Sequence, residues 1–82
     1  MDESAFNREM NKARELAKFE PERARYWEGF QRGLRRQYFG GDAFGTEEEH
    51  ARWQSLAGSD VPAEAERGQG YGDGLVAGGA AT

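Results

Sequence analysis

β-Branched side chains are almost missing from this chain, and nothing else in it restricts folding as much. Its 82 residues include no Ile, two Val and two Thr. Sheet surfaces are built largely from such residues, so the chain reads as helical. The apolar set that remains is twelve Ala, four Leu, two Met and ten aromatic residues. A chain of this length forms one domain with a thin core. Cys is absent, which excludes disulfides, thiolate catalysis and Cys-based zinc sites.

Periodicity and punctuation predict an all-α bundle of three to four short helices, over residues 4–19, 21–38, 47–57 and 62–75. The expected organisation is a single helical domain over 1–75 followed by a flexible Gly/Ala tail over 76–82. In the first segment Ser4 is the expected N-cap. Phe6, Met10, Ala13 and Ala17 recur at the spacing of one helix face, with Leu16 beside them. Pro21 suits the first position of a second helix. The apolar stripe of that helix is Trp27, Phe30, Leu34 and Tyr38, and Gly40-Gly41 ends it. Gly29 and Gly33 lie four apart on a neighbouring line. Each costs about 1 kcal/mol relative to Ala, so two on one face point to the close approach of another backbone or a large ring.

Thr46-Glu47-Glu48-Glu49 reads as a capping box, with Thr46 capping the Glu49 amide and Glu49 reaching back. Trp53, Leu56 and Ala57 are the expected inward positions of this third helix. Asp60 or Val61 caps the fourth, with Pro62 in its first turn. Gly68, Gly70, Gly72 and Gly74 then interrupt it, so that stretch reads as a frayed helix end or a loop. One internal echo crosses the chain. Gly29-Phe30-Gln31-Arg32-Gly33-Leu34 aligns with Gly70-Tyr71-Gly72-Asp73-Gly74-Leu75 at an offset of 41 residues. It reads either as chance or duplication, or as two glycine-faced helices packing on each other.

Charge divides the chain. The net charge is −4, made of +2 over residues 1–41 and −6 over residues 42–82. An acidic half repels nucleic acid and attracts basic partners. Asp42, Glu47, Glu48, Glu49, Asp60, Glu64 and Glu66 are the expected partner-binding surface. Arg32, Arg35 and Arg36, beside Tyr38 and Phe39, form the most basic patch. They suit phosphate contacts and base stacking, or ion pairs with acids of the second half. Phe6, Met10, Leu16 and Trp27 are the expected interface of a homodimer, because a narrow apolar stripe is best covered by its own copy.

Catalytic signatures are missing. His50 is the sole histidine, and Glu47, Glu49 and His50 diverge around a helix rather than converging on one ion. The glycine-rich run lacks the strand and spacing of a dinucleotide site. The expectation is therefore a protein that is not an enzyme and carries no cofactor or metal. No apolar run approaches the length of a membrane span. The acidic N-terminus lacks a signal-peptide pattern, so a cytoplasmic location is expected, that of the host cell if the chain is phage-encoded.

Small size, absence of Cys, a compact helical pattern and an acidic half carry a resemblance. In general type the chain resembles small phage and mobile-element proteins, among them anti-CRISPR inhibitors. That resemblance implies an inhibitor whose carboxylates occupy a basic channel meant for nucleic acid, with a CRISPR effector complex as the implied partner. The alternatives are a small nucleic-acid-binding regulator using the Arg-rich helix face, and a self-associating assembly protein.

Overall fold

A computed structural model describes residues 1–41 and 45–79. Within them the chain forms four α-helices: α1 (Glu3–Phe19), α2 (Ala24–Phe39), α3 (Glu47–Ser55) and α4 (Pro62–Leu75). Short 3-10 turns at Pro21–Arg23, Leu56–Gly58 and Ala77–Gly79 follow α1, α3 and α4. No strand occurs among the described residues.

α1 begins before the expected cap. Asp2, in extended conformation, accepts a hydrogen bond from the Ala5 amide at 2.7 Å. It meets the orphan amides of the first turn and places a carboxylate at the positive end of the helix. Pro21 prevents continuation past Glu20, and α1 folds back along α2. Met10, Ala13, Trp27, Phe30 and Leu34 make the buried cluster between them. Phe6, Leu16 and Ala17 pack on its edge, and Phe6 stacks on Tyr38 at 4.4 Å. Of the residues expected at a homodimer interface, Met10 and Trp27 are buried inside the chain, and Phe6 and Leu16 are partly buried. The Trp27 indole N–H, which needs an acceptor when buried, donates to Glu20 Oε1 at 3.1 Å.

α4 has the expected bounds of 62–75, but residues 68–74 are neither a frayed end nor a loop. They are continuous helix, because their glycines are where α4 meets α2. A Cβ built on Gly29 falls on the Arg67 carbonyl oxygen, and one on Gly70 falls on that of Tyr26. Likewise Gly33 lies against the Tyr71 carbonyl and Gly74 against that of Phe30. All four constructed positions come closer than 3.0 Å to the neighbouring backbone. The order of these contacts makes the two helices parallel. It also makes them reciprocal: Gly29 meets Arg67 while Tyr26 meets Gly70, and Gly33 meets Tyr71 while Phe30 meets Gly74, so each contact recurs with its partners exchanged at the 41-residue offset. The glycines of the echo are therefore an interface, and the equivalence extends to Pro21 and Pro62 and to Ala24 and Ala65. Gly-x-x-x-Gly spacing lets backbones approach until Cα–H groups contact carbonyl oxygens.

The two helices also finish each other's ends. α2 has no side-chain cap of its own, and the Tyr26 amide in its first turn donates to Glu66 of α4 at 3.3 Å. In return Gln37 Nε2 of α2 donates to the Gly74 and Ala77 carbonyls at the end of α4. The expected tail begins with the Ala77–Gly79 turn, where Ala77 packs on the core cluster. Its remainder, 80–82, lies outside the described residues.

Candidate functional site

α2 presents three sides. One faces α1, one faces α4, and Arg32 and Arg36, one turn apart, project toward α3. The N-terminal end of α3 is fixed by Thr46, whose Oγ1 accepts from the Glu49 amide at 3.1 Å. Only half of the expected capping box forms in this way, since the Glu49 carboxylate is taken by Arg32. Arg32 Nη2 lies 3.0 Å from Glu49 Oε2, and Arg36 Nη2 lies 2.8 Å from Glu47 Oε1. Arg36 Nη1 adds bonds to the Gly45 and Thr46 carbonyls at 3.3 Å. Residues 45–49 thus aim carboxylate and carbonyl oxygens at two guanidinium forks. The Arg36 side chain is only 11 % exposed, whereas its partner Glu47 is 86 % exposed.

Beneath this layer, Arg32 sits over the Trp53 ring at 4.8 Å. Trp53 leans on Tyr71, with 5.6 Å between ring centroids. Tyr71 is one of the most buried side chains, and its hydroxyl meets His50 Nδ1 at 2.6 Å. Burial pushes the Tyr71 phenol above its ordinary value, with the nearby cations of Arg36 and Arg32 opposing. The cleft enclosed by Arg32, Arg36, Glu49, His50, Trp53 and Tyr71 leaves no space for a water molecule. Outside it, a surface groove of about 350 Å³ runs past Arg32, Thr46, Glu48, Glu49, Arg52 and Trp53.

The expected acidic surface is divided by this geometry. Glu48 and Asp60 are exposed. Glu47 and Glu49 engage α2 while keeping much of their surface open. Glu64 accepts from Ser59 Oγ at 2.8 Å, and that same oxygen accepts from the Val61 amide. This turn supports the start of α4, where neither Asp60 nor Val61 provides a side-chain cap. Glu66 is spent on the Tyr26 amide. Asp42 lies outside the described residues. Of the arginines, Arg32 and Arg36 act together, and Arg35 lies a 100° step around the helix from Arg36. Tyr38 is stacked on Phe6 and not beside the arginine pair. Of the expected inward positions of the third helix, Trp53 and Leu56 are half-buried, and Ala57 is exposed. Only the Ala57 backbone packs inward, against Gly68.

Sequence reasoning missed the roles of Ser59, Glu66, Gln37 and His50. Each bonds to a residue brought close by the α2–α4 packing or by a local turn, and no motif announces such links. The arginine pair had one signal, its one-turn spacing opposite a Thr-Glu-Glu-Glu run. No group of three or more His, Asp or Glu side chains that could hold a metal ion occurs among the described residues. No described helix is long and apolar enough to cross a membrane. No family model matches the chain, and neither a curated protein nor a solved structure matches it.

Proposed function

We propose that this chain is a non-enzymatic interaction module that presents its acidic half to a basic partner. The observation that carries this reading is the segregation of charge on a fixed scaffold. Residues 42–82 contain eight acids and two arginines. Glu47 and Glu48 are exposed at the start of α3, and Asp60 in the turn before α4, beside an α2–α4 pair packed backbone to backbone through glycines. A carboxylate array held in this way competes with phosphates for a basic groove without reading any bases, since such grooves respond to backbone charge and shape. The sharpest form is an inhibitor of a nucleic-acid-processing complex, of the general type that anti-CRISPR proteins represent.

Salt and two neutral substitutions test it. A partner captured by the wild-type chain at low salt should dissociate as ionic strength rises, because exposed charges are screened within about 8 Å at physiological salt. Glu48→Gln with Asp60→Asn removes two exposed charges that no ion pair among the described residues uses. That variant should keep the helical circular-dichroism spectrum and lose at least tenfold in affinity. Undiminished capture by the folded variant contradicts the reading.

A further inference from the structure

We propose that Arg32 and Arg36 form a phosphate-binding pair that α3 holds closed, with Glu47 and Glu49 occupying the places of the ligand's oxyanions. The inference stands on the α2–α3 geometry and does not rest on a basic partner. Two guanidinium groups one turn apart on a rigid helix are a fork pair suited to two neighbouring phosphates. In the closed chain both forks are filled by oxygens of a single short segment. Glu49 Oε2 lies at 3.0 Å from Arg32, Glu47 Oε1 at 2.8 Å from Arg36, and the Gly45 and Thr46 carbonyls at 3.3 Å from Arg36.

The cover is lightly attached. α3 contributes no buried side chain. Among the described residues its links to the α2–α4 pair include these ion pairs, the Arg32–Trp53 contact, the ring contacts of Trp53 and His50 with Tyr71, and the His50–Tyr71 hydrogen bond. Its far end continues into the turn whose Ala57 backbone lies on Gly68. The N-terminal half of α3 can therefore lift while its C-terminal end stays docked. The α2–α4 pair beneath is held by its own glycine contacts and end caps, so Arg32 and Arg36 keep their spacing when α3 lifts. Only a ligand with closely spaced multiple charges displaces carboxylates that are already tethered at high effective concentration. The surface groove past Arg32 provides the approach.

The full chain is tested with two probes that share this chemistry, inorganic pyrophosphate and a mixed-sequence single-stranded oligodeoxynucleotide. In the wild type, saturating probe should raise amide hydrogen exchange across the N-terminal half of α3, Glu47–Ala51, at least fivefold and leave α2 and α4 unchanged. An effect with both probes assigns the site to phosphate groups as such, and one with the oligonucleotide alone assigns it to a nucleic-acid backbone. Glu47→Gln with Glu49→Gln should bind the labelled oligonucleotide at least tenfold tighter than wild type at low salt. Glu15→Gln with Glu22→Gln changes the charge equally on the first hairpin and should gain less than threefold. Adding Arg32→Gln and Arg36→Gln to the opened variant should abolish the gain. It should also flatten the salt slope by about 1.4, the value for two single-strand phosphate contacts. Equal gains in the two glutamine variants, or a gain that survives loss of the arginines, overturn the proposal. If the opened variant fails to fold, the wild-type exchange decides, and unchanged α3 protection under both probes overturns it.

Discussion

Two tyrosines carry most of the titration behaviour of the fold, for different reasons. Tyr26 is pushed up to about 12, first by burial and then by its hydrogen bond to Asp73. Tyr71 is raised chiefly by burial, with a smaller push from the Glu47 carboxylate, against the pull of Arg36 and Arg32. An unfolded tyrosine ionises near 10. Below that value both states keep the proton, and the stabilisation is fully present. As pH rises from about 10 through the folded values, the unfolded chain loses protons that the native chain retains, so stability falls. Ultraviolet pH titration should show Tyr26 ionising at about 12, and urea midpoints should drop above about pH 10. A Tyr26 that ionises with the unfolded chain would contradict its placement. Tyr71→Phe leaves His50 Nδ1 without its buried partner, and should cost about 0.5–1.5 kcal/mol in urea unfolding. No loss would place that hydroxyl in water.

At the scale of elements the helices differ in what makes them helical. α1 and α2 were legible because their apolar stripes follow the helical period and Pro21 and Gly40 punctuate them. The start of α3 was legible from Thr46. α4 was placed over 62–75, as observed, but its glycine run was not legible as helix interior, because local propensity counts each glycine against a helix, whereas here Gly70 and Gly74 admit the α2 backbone. That gain exists only in the tertiary structure, and the echo was its single trace in the sequence. The candidate site divides in the same way. The acids and arginines were identifiable as charged groups, but not which acid each arginine holds, since those pairs join residues 11 and 17 positions apart. α3 has only polar grips and half-buried apolar contacts, and exposed ion pairs contribute about 0–1 kcal/mol each. Native-state hydrogen exchange should therefore find α3 opening locally, at lower free energy than α2 and α4, which should exchange only with global unfolding. Uniform protection across the four helices would show that α3 is held as firmly as the rest.

The described residues form two helical hairpins, α1–α2 and α3–α4, joined in parallel through α2 and α4, whose sequences echo each other at an offset of 41 residues. The first hairpin closes over an apolar cluster and the second over a polar one, and this difference puts the charged chemistry on the α3 side. Everything proposed for that side depends on the glycine interlock staying rigid beneath it. Urea unfolding of Gly70→Ala beside Gly72→Ala tests the interlock most directly. Both substitutions put the same methyl group on the same helix two residues apart. At Gly70 it meets the Tyr26 carbonyl, and at Gly72 it meets open space. Gly70→Ala should lose about 1–3 kcal/mol or more from overpacking, while Gly72→Ala should gain about 0.5–1 kcal/mol from helix propensity and a less flexible unfolded chain. Equal stabilisation of both variants would mean that α2 and α4 do not meet through their glycines.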